Sequence, residues 1–405
     1  MKFRYITAAL LSVLLLFSCR SVPEKNVAEA VPVPSEKDSG NSVQNAEPSF
    51  QPSLTLLFGG DIMAHRVNFS MNDYSVIWKE VKPLVRSADF SFANIESPVD
   101  DDLPCSAYPD FNMHHQYAEA AVDAGFNVFS LVNNHFNDKG YEGLVRTCGW
   151  AEKTSAAYAS TDRPVFFSGI SREKQTGITY EVIRRNGWTI VFCAVTEILN
   201  RPDLKERVNY VAPADKTRKA FEQRIRDIRA QTDCDLLIVS VHSCMPEYVR
   251  EVPASERAYF RALLSSGADI VWSNHPHVVL EREFTGTKRS GRLSKLIMYA
   301  NGNTISGQRY DPQFSSPYGS REYTGDGLLY RVVFTKAHAD SAPVLTDTQA
   351  FYITTYINTA NQFVIRFLND DFISYLKSAD RPQWASYIFQ RKKIMEKTKV
   401  TKTWL

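Results

Sequence analysis

Charge of one sign, membrane-spanning apolar runs, closely paired cysteines and internal repeats are all missing from this 405-residue chain. Lys and Arg total 47 against 45 Asp and Glu, a formal net charge of +2, and the basic residues are scattered. That balance argues against a nucleic-acid partner. The six cysteines contain no C-x-x-C spacing, which removes a zinc ribbon and a dense disulfide framework from consideration. Cys193 sits in an apolar run and reads as a small buried hydrophobe. Apolar content of 44% is enough to build a sizeable core in one large domain or two smaller ones.

The N-terminus carries Lys2 and Arg4, followed by an apolar run from Ala8 to Phe17 broken by Ser12. A short basic region before a short apolar core is the pattern of a secretory signal. The run is too short to span a bilayer comfortably as a mature helix. It ends in Leu16-Phe17-Ser18-Cys19, which resembles the bacterial lipobox, where the peptide before the cysteine is removed and the cysteine takes a lipid. An uncleaved anchor, or a plain signal with an unrelated cysteine, is the alternative. Either way the rest of the chain is expected outside the cytoplasm, periplasmic or at the cell surface. With Cys19 lipidated, five cysteines remain in a compartment that permits disulfides. Residues 20–52 are rich in Pro, Glu, Ser and Asn, a composition that cannot bury enough surface to order itself, and are expected to act as a flexible tether.

From residue 54 onward, apolar runs end in polar residues and helical patterns follow. Strands are expected at 54–58, 90–93, 128–132, 236–241, 269–272 and 296–300, with helices at 74–86, 114–124, 140–153, 214–230 and 254–265. Arg185-Asn186-Gly187 between two β-rich runs predicts a hairpin. The alternation predicts an α/β layered domain, a mixed central sheet flanked by helices, over residues 53–345. Residues 346–405 are expected as a C-terminal helical extension, with helices at 359–377 and 383–398.

Chemistry collects at the strand ends. Asp61, Glu96, Asn134, His135, His242, His275 and His277 each follow an apolar run, and they include four of the eight histidines. Ligand sites of open α/β sheets lie beyond the carboxyl ends of the strands, so parallel neighbours would bring these residues to one edge. Imidazole, carboxylate and amide oxygen suit Zn, Mn, Fe or similar divalent ions. Two such ions bridged by a carboxylate generate a hydroxide nucleophile and clamp an anionic substrate. Taken singly, Gly59-Gly60-Asp61 is a common turn, Asn133-Asn134-His135 a polar loop and His275-Pro276-His277 a rigid turn; only their joint order points to a site.

That joint order resembles the CapA/PgsA family of bacterial capsule and poly-γ-glutamate synthesis proteins. It is carried by Gly60-Asp61-Ile62-Met63, Asn94-Ile95-Glu96, Asn133-Asn134-His135 with Asp138, His242 with Glu247-Tyr248, His275-Pro276-His277 and Gly302-Asn303. The resemblance implies a fold of the calcineurin-type metallophosphoesterase kind. It implies Glu96 as a carboxylate bridging two divalent metals, Asp61 and His277 on one, and Asn134, His242 and His275 on the other. It implies His135 as a general acid oriented by Asp138, and a substrate-side role for Asn303. The phosphoesterase D-x-H pattern is not kept: the nearest histidine, His65, comes four residues after Asp61 and is either a displaced ligand or a polar neighbour. Arg66 beside it is a candidate for anion binding, because a guanidinium suits carboxylate and phosphate. The loop after His242 is one residue longer than the family's usual form.

Three functions follow as expectations. One is a metal-dependent hydrolase acting on a phosphoester or on an amide of an anionic polymer. Another is a non-catalytic component, anchored to the membrane through the Cys19 lipid, that binds or exports a capsule polymer alongside capsule-synthesis membrane proteins. The last is a periplasmic nucleotidase or phosphodiesterase.

Overall fold

The computed structural model describes residues 50–287 and 292–404. The signal, Cys19 and nearly all of the expected tether lie outside these residues. The last residues of that stretch, Phe50 to Pro52, are tied down: Gln51 N–H donates to Asn186 O at 3.0 Å, and Trp188 Nε1–H donates to Gln51 O at 2.8 Å.

In chain order, β1 (Ser53–Ile62), β2 (Phe90–Ile95), β3 (Val128–Ser130) and β4 (Phe166–Ser168) start a first sheet. The chain then builds β5 (Glu181–Arg185), β6 (Trp188–Thr196), β7 (Leu236–His242), β8 (Ile270–Asn274), β9 (Arg282–Thr287) and β10 (Arg292–Met298) into a second. It returns to the first with β11 (Asn303–Ile305), β12 (Asp326–Thr335), β13 (Val344–Ile357) and β14 (Phe363–Phe367), and ends on the second with β15 (Val400–Trp404). The sheet orders are β14-β13-β12-β1-β2-β3-β4, with β11 also on β1, and β15-β9-β10-β8-β7-β6-β5. β1 to β4 run parallel, as do β6, β7, β8 and β10.

The layered α/β class expected from the alternation is present, with the central layer doubled into two mixed sheets. Side chains alternate across a strand, so each sheet has one face for its partner and one for helices. Phe58 and Phe92 of the first sheet meet Phe192 and Trp272 of the second, with Phe92–Phe192 centroids 5.5 Å apart. Trp272 satisfies its buried indole N–H on Gly59 O at 2.9 Å, bonding one sheet to the other. Outside the first sheet, Ile77, Trp78, Tyr117 and Ala121 pack on Leu57, Ala93 and Phe129. Outside the second, Phe221, Ile225, Phe260 and Leu263 pack on Val191, Val239 and Val271. The helices carrying them, Asp215–Gln231 and Ala254–Ser265, match their expected spans within a residue.

The expected hairpin forms between β5 and β6, with Asn186 at φ 52° and Gly187 at φ 76°, the doubly left-handed turn that Asn-Gly favours. The helix expected over 74–86 is two short pieces, Ser75–Trp78 and Lys82–Ser87, the second starting with a proline in its first turn. After residue 345, helices Asp370–Ser378 and Pro382–Met395 do form, but the same tail also supplies most of β13 and all of β14 and β15. Strand β14 occupies the start of the first expected helix; Asn369 then caps Asp370–Ser378 by accepting from Phe372 N–H at 2.9 Å. The boundary at 345 is no domain break: buried Arg391 of the last helix donates through Nε to Asp326 of β12 at 2.7 Å. Among the described residues no cysteine is paired, and Cys193 is fully buried.

Candidate metal centre

Parallel strands put their carboxyl ends on one edge, and stacking the sheets puts two such edges side by side. Asp61 lies near the end of β1, Glu96 follows β2, and Asn134 and His135 lie on the turn after β3. From the second sheet come His242, the last residue of β7, and His275 and His277 just past β8. All seven side chains are buried, and Asn134 Oδ1 meets His242 Nε2 at 2.8 Å across the junction.

Close backbone approach brings β1 into place. A Cβ on Gly60 would sit 1.9 Å from Gly302 O, so Gly59-Gly60-Asp61 and Gly302-Asn303 fit only as glycine against glycine. Gly60 N–H donates to Thr304 Oγ1 at 2.7 Å, and Asp61 pairs in register with Asn303 and Asn94. Asn94 and Glu96 are two residues apart and share a side; Asn94 Nδ2–H₂ donates to Asp61 Oδ1 at 2.8 Å and to Glu96 Oε2 at 3.3 Å. The His275-Pro276-His277 turn is strained: His275 has φ 101° and His277 φ 57°, conformations that cost non-glycine residues about 1–3 kcal/mol each.

Two overlapping donor groups result, Asp61–Glu96–His277 and Glu96–His242–His275, with donor atoms within 4.8 Å of one another inside each group. Glu96 belongs to both. Its Oε1 lies 3.7 Å from Nε2 of both His242 and His277, and that oxygen is buried with no hydrogen-bond partner. Nδ1 of His242 and Nδ1 of His275 are buried and unpartnered as well. His277 Nδ1 faces Asp61 Oδ2 at 3.2 Å and Asn303 Oδ1 at 3.0 Å. An orphan carboxylate oxygen and orphan imidazole nitrogens, all of borderline-to-hard character, form a donor set that fits divalent cations. A third group, Glu247–His275–His277, adjoins these two.

The electrostatics agree. Burial first, and the Asp61 carboxylate next, push the Glu96 carboxyl well above its ordinary range. Burial, and then the His275 and His277 rings, push His242 well below 6.5. His275 is pushed down to about 4 by burial and then by His277. For His277 burial also acts downward, but the Asp61 hydrogen bond and charge outweigh it and the net direction is up. A crowded carboxyl beside His242 and His275 rings held toward the neutral form is what a cation relieves.

His135 and Asp138 form a dyad beside the donor groups. His135 Nδ1 is 2.6 Å from Asp138 Oδ2, which also accepts from Phe111 N–H at 2.7 Å. With Nδ1–H donated to the carboxylate, Nε2 is the nitrogen left to exchange a proton. Phe111 packs edge-on against the His135 ring at 4.7 Å.

Three candidates take other positions. His65 belongs to none of the donor groups; its Nδ1 accepts from Gly307 N–H at 3.1 Å and its ring meets Phe111, the setting of a polar neighbour. Burial, then the His277 and His135 rings, push it down to about 3. Arg66 is exposed at the start of the helix Arg66–Phe69. Asn303 is buried and committed: its Oδ1 faces His277, and its Nδ2–H₂ is shared by Ser306, Gln308 and Thr324 O. It holds the His277 ring, and both ends of its amide are engaged within the protein. Strand-end position does not single out Asn94, Glu247 or Asn200, whose Oδ1 accepts from Asn134 Nδ2 at 3.3 Å and whose Nδ2 lies 3.3 Å from His135 Nδ1. Asn94 was legible, being two residues before Glu96 on one strand. Glu197, Cys244 and Glu256 also converge, but Arg218 bonds both carboxylates at 2.7 Å and makes that cluster an ion pair.

Fold and site together define a two-sheet α/β protein with a shared-carboxylate imidazole centre at its strand ends. The family model of the bacterial capsule synthesis protein PGA_cap matches residues 55–308, and the chain belongs to that family. Over 267 residues it is 26% identical to the capsule biosynthesis protein CapA of Bacillus anthracis, covering 63% of this chain and 60% of that protein. Over 265 residues it is 28% identical to the PGA biosynthesis protein CapA of Bacillus subtilis (strain 168), covering 63% of this chain and 64% of that one. The matched part thus spans less than two thirds of each relative. A hypothetical protein from Thermus thermophilus, known from a crystal structure, aligns over 74% of this chain and 98% of its own at 15% identity and a TM-score of 0.40.

Proposed function

We propose that this chain is an exported capsule-synthesis lipoprotein whose folded part is a dinuclear metal hydrolase acting on an anionic polymer or a phosphoester. The observation that carries the reading is the unpartnered Glu96 Oε1 between His242 and His277. Asp61, Glu96 and His277 would hold one divalent ion, and Glu96, His242, His275 and Asn134 the other, with Mn, Fe or Zn as the suitable metals. Such ions supply a nucleophilic hydroxide and neutralise an anionic substrate. The protein's own groups do the rest. Asn94 spaces the Asp61 and Glu96 carboxylates, Asn303 fixes the His277 ring, and Asp138 orients His135 to give a proton from Nε2 to the leaving group. The names of the curated relatives support a place in capsule or poly-γ-glutamate synthesis, with partners among that machinery's membrane proteins. Cys19 would carry the lipid, and residues 20–49 would set the reach from the membrane. Among the described residues no helix is long and apolar enough to cross a membrane.

The test compares purified full-length wild type with Glu96→Ala, each loaded with Mn²⁺ or Zn²⁺. Substrates are γ-linked oligoglutamate, nucleotides and aryl phosphate esters. Turnover of at least one class that falls to background in the variant is the expected result. Equal activity of the two proteins in capsule formation would remove the enzymatic reading and leave polymer binding. Preference for nucleotides would favour a nucleotidase.

A further inference from the structure

We propose that Glu247 is an exchangeable ligand at the mouth of this centre, closing the solvent side of the His275–His277 pair until an anionic oxygen of the substrate displaces it. The inference rests on the metal reading above.

Three carboxylates converge on the imidazoles, and they differ in burial. The side chains of Asp61 and Glu96 are 1% and 0% exposed, whereas that of Glu247 is 37% exposed. The buried pair cannot leave without stranding charge in the core. Glu247 swings into water at little cost, because its hydration is partly in place already. Its Oε1 lies 3.9 Å from His275 Nε2, and its donor atom groups with those of His275 and His277 inside 4.8 Å.

The position is built. Tyr248 N–H donates to Pro276 O at 2.9 Å, fastening the loop to the middle of the turn that carries both histidines. Tyr248 holds φ 64°, a left-handed conformation that an aromatic residue adopts only when its surroundings impose it. Its ring stacks on His277 at 6.1 Å, and its hydroxyl accepts from Gln308 Nε2 at 3.4 Å. Gln308 Oε1 accepts from Asn303 Nδ2 at 2.8 Å, and Asn303 Oδ1 returns to His277 at 3.0 Å. This ring of contacts passes through His277 itself and fixes the backbone under Glu247, whose half-exposed carboxylate is held by the neighbouring Tyr248 hydroxyl and, among the described residues, by no buried cation. Exchange also settles an electrostatic conflict: an anionic substrate approaching three carboxylates is less repelled once the outermost has turned away.

Calorimetric titration of the full chain with Mn²⁺ or Zn²⁺, for wild type, Glu247→Gln and Glu247→Ala, tests this without any assay of activity. A second titration of each metal-loaded protein uses inorganic phosphate. Both variants are expected to keep two metal equivalents, to bind one of them about ten-fold more weakly, and to bind phosphate several-fold more tightly than wild type. Metal affinities within two-fold of wild type would overturn the ligand role. Weaker metal binding without tighter phosphate binding would overturn the exchange. A wild type that takes up no metal would overturn the centre and this inference together, whereas a two-metal wild type with unaltered variants overturns this inference alone.

Discussion

Glu96 Oε1 lies 3.7 Å from His242 Nε2, two side chains from different sheets meeting in the buried interior with no hydrogen bond on that oxygen. Neither sheet holds the centre alone. The two-sheet stack, held by Trp272 on Gly59 O and by the Phe92–Phe192 contact, is therefore part of the site as much as the donors are.

The His135–Asp138 dyad predicts a split between chemistry and metal binding. Since neither residue is in the donor groups, His135→Ala is expected to lower kcat by about 10²–10⁴ and keep the wild-type metal content. Asp138→Asn should have a smaller effect in the same direction. Steady-state rates with a nitrophenyl ester and with an alkyl ester check the role. The loss should shrink on the nitrophenyl ester, whose leaving group needs no proton; an equal loss on both would point to distortion of the site.

The Arg218 ion pairs behind His242 predict a stability cost. Glu197 N–H donates to His242 O at 2.9 Å, Glu197 Oε2 accepts from Cys244 N–H at 3.3 Å, and Arg218 ties Glu197 to Glu256. Arg218→Met leaves two buried carboxylates uncompensated and should cost about 3–5 kcal/mol in denaturant unfolding. Arg218→Met with Glu197→Gln should recover part of that loss. An Arg218→Met protein as stable as wild type would show the cluster to be dispensable.

His65 predicts an acid-sensitive contribution. Its folded value of about 3 lies below the ordinary 6.5, so the folded state favours the neutral ring that accepts from Gly307 N–H. The contribution is complete above pH 6.5 and is lost as pH falls from there toward 3. Partial exposure reduces it to about 1–2 kcal/mol between pH 7 and pH 4. In metal-free protein, the stability of His65→Gln should fall less over that window than that of wild type, as read by urea unfolding at each pH. Parallel pH profiles for the two proteins would contradict the assignment.

Gly60 predicts a steric requirement inside the first motif. Gly60→Ala places a methyl group 1.9 Å from Gly302 O and must push β1 from β11, at about 3 kcal/mol or more in stability. Gly177, with open space around it, is the control, and Gly177→Ala should be close to neutral. Thermal melting of the two variants compares them directly.

Much of this was legible in the residues, and the rest was hidden for physical reasons. Asn186-Gly187 named its own turn, and the apolar runs ending in Asp61, Glu96, His242 and His275 marked true strand ends. A strand-end rule gives the edge on which residues gather, but it does not say that the edge is shared by two sheets. That follows from pairing at long range, such as Trp272 with Gly59, which no local pattern encodes. β13 was missed because its first half is largely exposed and polar, so it carries little alternation. β14 is five residues long, and Phe363 to Phe367, apolar but for Arg366, fits either a strand or a helix by itself. The resemblance gave Asn303 a substrate-side role; the bonds that occupy its amide, to His277 and to Thr324 O, depend on long-range packing that no local pattern encodes. Glu247 stood within a quoted motif with no role, since its place over His275 depends on the loop that Tyr248 N–H fastens to Pro276.

The central claim is a pair of metals sharing Glu96, and elemental analysis tests it most directly. The full chain, purified after loading with Mn²⁺ or Zn²⁺ and removal of excess ion, is measured beside Glu96→Ala and His275→Ala. The predicted result is two ions per wild-type chain, one or none in His275→Ala, and loss of both in Glu96→Ala, with near-wild-type circular dichroism throughout. Wild type without stoichiometric metal, or Glu96→Ala that still holds two ions, would contradict it.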